Sequence, residues 1–138
     1  MTNINIVEEL ISSIRKYIKI LSESFKKYSQ KEIEEDLFLK ASLERYLYLV
    51  IQETINLAEA AISLKDFRRP DSYSNAFEIL EEEKVISRDL CKKMVDMTGF
   101  RNVVSHDYKK LDFKIVYDVL QNRLVDIEEF IAEIEKVI

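Results

Sequence analysis

Glycine, proline, cysteine and histidine each occur once in the 138 residues (Gly99, Pro70, Cys91 and His106), and tryptophan is absent. One glycine and one proline leave few positions for the left-handed turns that hairpins and β-sandwiches need. They also exclude a Walker A loop and a GxGxxG fingerprint, since each needs more than one glycine. A single cysteine excludes an intrachain disulfide and a cysteine-based zinc site, and fits a reducing compartment. One histidine and one cysteine are too few soft ligands for a transition-metal centre, so no metal and no cofactor is expected. The longest apolar run, Tyr46 to Ile51, is far short of the roughly 20 residues of a membrane span. The N-terminus lacks the basic and apolar regions of a signal peptide. These readings point to a cytoplasmic protein without a membrane partner.

What is present is apolar periodicity and charge. Hydrophobic residues make up 47% and charged ones 34%, an ordinary balance for a folded chain rather than a disordered one. The length suits one domain spanning residues 1–138. The net charge of −5 is unevenly spread. Residues 88–114 carry seven basic and four acidic side chains, whereas the flanking segments are acidic. This basic island surrounds the sole histidine.

Apolar residues recur at spacings of three and four along most of the chain, predicting an all-α fold. The expected architecture is an up-and-down bundle of four to five helices. The first spans about Asn3 to Tyr28 with Val7, Leu10, Ile11, Ile14, Tyr17, Ile18, Leu21, Phe25 and Tyr28 as its apolar positions. Ser29 and Glu32 form a capping box that opens a second, long helix reaching about Leu64. Lys65 to Asp71, containing Pro70, breaks the chain. A short helix from Tyr73 to Glu83 follows, and Ser87 caps the next, with Leu90, Cys91, Met94 and Met97 as its buried stripe. Gly99 can end or kink that helix. Asp112 caps a last helix running from Phe113 to Ile138.

Chemistry concentrates in Gly99-Phe100-Arg101-Asn102-Val103-Val104-Ser105-His106-Asp107-Tyr108. Histidine titrates near neutrality and can move a proton to or from a hydroxyl. Arginine offers a fixed fork of donors to a phosphate and to the charge that grows on it. Neither role needs a metal. On an ideal helix Arg101 and His106 point about 140° apart, whereas Arg101, Ser105 and Tyr108 share a face, as do Asn102 and His106. Convergence of Arg101 and His106 on one phosphate therefore needs a helix end at Gly99 or a second protomer. The same residues also suit a surface histidine near a helix end and an Arg101–Asp107 pair worth under about 1 kcal/mol.

GFRNVVSHDY resembles the R-x4-H-x-Y motif of the HepT-like family, a branch of the HEPN superfamily. The likeness extends through LERYLYLVIQETINLAEAAI, RRPDSYSNAFEILEEEKVIS, LCKKMVDMTGFRNVVSHDY and the C-terminal helix, and so covers the whole chain. The resemblance implies a homodimeric, metal-independent endoribonuclease toxin with a composite cleft. Arg101 and His106 would be catalytic, with Asn102, Ser105, Asp107 and Tyr108 supporting them. Cleavage would proceed by attack of the ribose 2′-hydroxyl on the adjacent phosphate. The expected partners are RNA and an MntA-like minimal nucleotidyltransferase antitoxin, which would transfer AMP to Tyr108. Gln52 and Asn56 on the long helix would face the cleft, both neutral where relatives often carry an acid, with Glu53 and Glu59 at other angles. The alternatives are a non-catalytic nucleotide-binding or nucleotidyltransferase-docking module and a structural dimerisation domain.

Overall fold

Polar caps, more than glycine, divide this chain into helices. The computed structural model describes residues 3–106 and 113–138, with positions 103–106 described by their backbone. Among the described residues every regular element is helical: α1 (Ile4–Lys27), α2 (Gln30–Glu35), α3 (Leu37–Leu64), α4 (Tyr73–Glu82), α5 (Arg88–His106), α6 (Phe113–Asn122) and α7 (Leu124–Glu135). The all-α expectation holds, with more helices than the four to five expected.

Two of the extra boundaries have visible causes. Ser29 and Glu32 form the expected capping box, but the helix they open stops at Glu35. Asp36 sits in extended conformation and its carboxylate accepts from the Leu39 amide at 3.0 Å. A short polar side chain that bonds the backbone three residues on starts a new helix rather than continuing the old one. The C-terminal stripe is also interrupted, at Arg123, which stays in the right-handed α region (φ −110°, ψ −11°) but stands between α6 and α7. Its guanidinium donates to Asp126 at 2.8 Å and to the Lys93 carbonyl at 3.2 Å.

Gly99 does not end a helix. It lies inside α5, and no glycine has a positive φ. The left-handed positions belong instead to Asp66 and Lys84, which follow α3 and α4. At each the chain closes with paired bonds, Phe67 N–H to the Ile62 carbonyl and Asp66 N–H to Ser63, then Val85 to Leu80 and Lys84 to Glu81. These Schellman closures satisfy the last helical carbonyls, which offsets the cost of a non-glycine residue there.

The buried stripes are those the periodicity predicts: Val7, Ile11, Ile14, Ile18 and Leu21 on α1, and Leu90, Cys91, Met94 and Met97 on α5. Helix α3, about 42 Å long at 1.5 Å per residue, is the spine. It packs against α1, α2, α4 and α5, so its apolar arc is wide and includes Leu43, Leu47, Val50, Ile51, Ile55, Leu57 and Ala58. Phe77 of α4 meets Phe130 of α7 edge-on, with ring centroids 5.3 Å apart, in the deepest part of the core. No helix among the described residues is long and apolar enough to cross a membrane.

Candidate active site

One polar stripe interrupts the apolar surface of α3. Arg45, Tyr48, Gln52 and Asn56 are spaced by three, four and four residues, which places them on one face. Arg45 is exposed and the other three are half-buried. Helix α5 packs against α3 and delivers Arg101 to this stripe. The Arg101 Nε donates to Gln52 Oε1 at 2.5 Å, and one terminal nitrogen donates to Tyr48 Oη at 3.3 Å. The other terminal nitrogen donates to Asn102 Oδ1 at 3.1 Å. Behind the first contact, Gln52 Nε2 donates to Asn56 Oδ1 at 3.0 Å.

Two aromatic rings flank the guanidinium. Its carbon lies 5.4 Å from the Tyr48 ring centroid and 5.2 Å from that of Tyr73, the first residue of α4. Arg45 stacks over Tyr48 as well, at 5.3 Å. Each such contact attracts a cation to the ring face without neutralising it. The hydrogen-bond partners of Arg101 are an amide, a second amide and a phenol, all uncharged. Among the described residues no carboxylate bonds it. A half-buried cation held by neutral groups retains its charge for an anion that arrives from outside.

The sequence motif is thus partly assembled. Arg101 and Asn102 are brought together, and Gln52 and Asn56 join them. Glu53 and Glu59 are not among the partners of Arg101, and Glu59 is exposed. Positions 105 and 106 occupy the last turn of α5, while Asp107 and Tyr108 lie outside the described residues, as does the cap at Asp112. Because α5 runs unbroken through Gly99 to His106, helix positions 101 and 106 are about 140° apart around its axis. A helix end at Gly99 therefore does not bring them together. Tyr48, Tyr73 and Arg45 were not anticipated. The spacing of Arg45 and Tyr48 with Gln52 was visible along α3, whereas the approach of Tyr73 depends on how α4 packs.

A model of the family described as Ribonuclease HepT-like matches residues 14–134. The chain belongs to the HepT-like ribonuclease family. An mRNA nuclease HepT from Shewanella oneidensis is 28% identical over 131 residues, covering 95% of this chain and 97% of that protein. The structure of a tri-AMPylated HEPN toxin from the same organism, in complex with an MNT antitoxin, superposes with a TM-score of 0.86. It is 28% identical, and the match covers 99% of each chain. A toxin–antitoxin structure with AMP-PNP gives a TM-score of 0.87 at 27% identity, covering 96% of this chain and 98% of that one. The HepT-like assignment makes this chain a ribonuclease, and the Arg101 cluster lies where α3 and α5 of that fold meet.

Proposed function

We propose that this HepT-like chain is the toxin of a toxin–antitoxin pair: a cytoplasmic, metal-independent endoribonuclease that works as a homodimer. The observation that carries the reading is Arg101, fixed on α3 through the uncharged Gln52 and Tyr48 and five residues ahead of the only histidine. In the reaction, a ribose 2′-oxygen attacks the neighbouring phosphorus and loses its proton to a base. The 5′-oxygen leaves and takes up a proton, so the products are a 2′,3′-cyclic phosphate and a 5′-hydroxyl. His106 serves as base or acid, and Arg101 stabilises the charge that builds on the non-bridging oxygens. Asn102 anchors the arginine, while Ser105 and Asp107 flank the histidine. The requirement for a 2′-hydroxyl selects RNA over DNA.

The 140° offset of positions 101 and 106 on an unbroken helix favours a twofold dimer, the commonest closed symmetry, with the two motifs facing each other. The antitoxin is an MntA-like minimal nucleotidyltransferase, a reading supported by the MNT antitoxin bound to the Shewanella toxin. It silences the toxin at Tyr108: the phenol oxygen attacks the α-phosphorus of ATP, loses its proton and releases pyrophosphate. The attached AMP then places negative charge and bulk beside the arginine that grips substrate.

The test is cleavage of RNA by the purified chain in excess EDTA. Wild type should cut. Arg101→Ala should lower the rate about 10²–10³-fold and His106→Ala about 10²–10⁴-fold, with folded helix content retained. Intact RNA with the wild type would favour the nucleotidyltransferase-docking alternative. Undiminished cleavage by both variants would overturn the assignment of the site.

A further inference from the structure

We propose that Gln52 is the positioning residue for Arg101, and that its uncharged amide leaves the guanidinium charge free for an RNA phosphate. The inference rests on the ribonuclease reading of this site. The 2.5 Å bond from Nε to Gln52 Oε1 is the shortest hydrogen bond of the arginine among the described residues. A guanidinium only donates, so Gln52 must turn its Oε1 to the arginine, and the Nε2 left behind donates to Asn56 Oδ1. Gln52 and Asn56 are four residues apart on α3, so the helix itself sets this relay.

A guanidinium has five N–H donors. Among the described residues Gln52, Asn102 and Tyr48 take three, and one on each terminal nitrogen points to no described acceptor. Glutamate at position 52 could hold Nε equally well, with the Asn56 amide turned to donate to it. It would however pair the cation, and an incoming phosphate would meet a neutral couple instead of a positive charge. Position 52 therefore separates two properties: an acceptor there sets the geometry, and its neutrality sets the charge.

Two substitutions read these properties apart. Gln52→Glu keeps an acceptor and adds charge, while Gln52→Met keeps the unbranched shape and removes the acceptor. Each is compared with wild type in two assays: cleavage of a single-stranded RNA, and anisotropy binding of its uncleavable 2′-O-methyl form between 50 and 200 mM salt. Gln52→Glu should weaken binding about tenfold at low salt and flatten the dependence of log affinity on log salt by about 0.7, one phosphate contact on a single strand. Gln52→Met should keep the wild-type salt slope but lose kcat, since the arginine keeps its charge and loses its aim.

Wild-type binding and cleavage by Gln52→Glu, or identical behaviour of the two variants, would overturn the proposal. Lack of salt-dependent binding by the wild type would do the same. Normal binding without cleavage by the wild type would instead overturn the ribonuclease reading and leave the comparison of variants decisive. Should Gln52→Glu fail to fold, Asn56→Asp retains the acceptor behind Gln52 and brings a carboxylate near. It should shift binding in the same direction by a smaller factor, and unchanged binding would count against the proposal.

Discussion

Cys91 lies on the buried side of α5 with 6% of its surface exposed. Burial pushes its thiol up from the ordinary range, and the carboxylates of Glu81 and Glu78 push the same way. Since the thiolate is the reactive form, a raised value keeps the group protonated and inert at pH 8. Labelling with a thiol reagent at pH 8 should therefore be slow in the folded protein and fast in denaturant. Rapid labelling of the native protein would contradict both the burial and the direction of the shift. Asp126 is a second residue whose setting decides its effect. It is 5% exposed, bonds Arg123 at 2.8 Å and lies 3.9 Å from Lys93, so it ties α7 to α5. Asp126→Ala would leave Arg123 without its carboxylate beside a packed core. Chemical denaturation should show a loss of about 1–3 kcal/mol.

Helix α5 carries Arg101, and its continuity can be tested at Gly99. A Cβ built there meets nothing within 4 Å, and the backbone is helical. Alanine loses less backbone freedom on folding than glycine, so Gly99→Ala should stabilise the protein by about 0.5–1 kcal/mol. A thermal melt should rise by roughly 2–5 °C; a fall would indicate that the helix is not regular at this position. The sequence alone pointed the other way, because glycine is a common helix terminator. Composition does not reveal that Asp66 and Lys84 are driven into the left-handed region by the closures of α3 and α4. The faces of the helices were legible for a different reason: a core must bury apolar stripes, and the spacing of Ile11, Ile14, Ile18 and Leu21 can be read directly. Boundaries such as Asp36 were not, because one side-chain bond decides them. In the site, Arg101, Asn102, Gln52 and Asn56 were visible as residues. Their contacts were not, because 49 positions separate Gln52 from Arg101 and only the packing of α5 on α3 joins them.

The whole molecule is acidic at −5, yet residues 88–114 carry more basic than acidic side chains. An excess of basic residues in one stretch of an acidic chain suits an enzyme that must attract a phosphate without coating itself in nucleic acid. Helix α5 offers Arg101 to one side of its axis, and position 106 lies about 140° away around that axis. The proposed dimer resolves this by letting each cleft draw its arginine from one protomer and its histidine from the other. Complementation reads that claim most directly. Arg101→Ala and His106→Ala chains, carrying different affinity tags, are co-expressed, and the mixed dimer is purified through both tags. One of its two clefts then holds an intact arginine and an intact histidine, so RNA cleavage should recover to about half the wild-type rate while either parent alone stays near zero. A mixed dimer no more active than its parents would contradict the composite site.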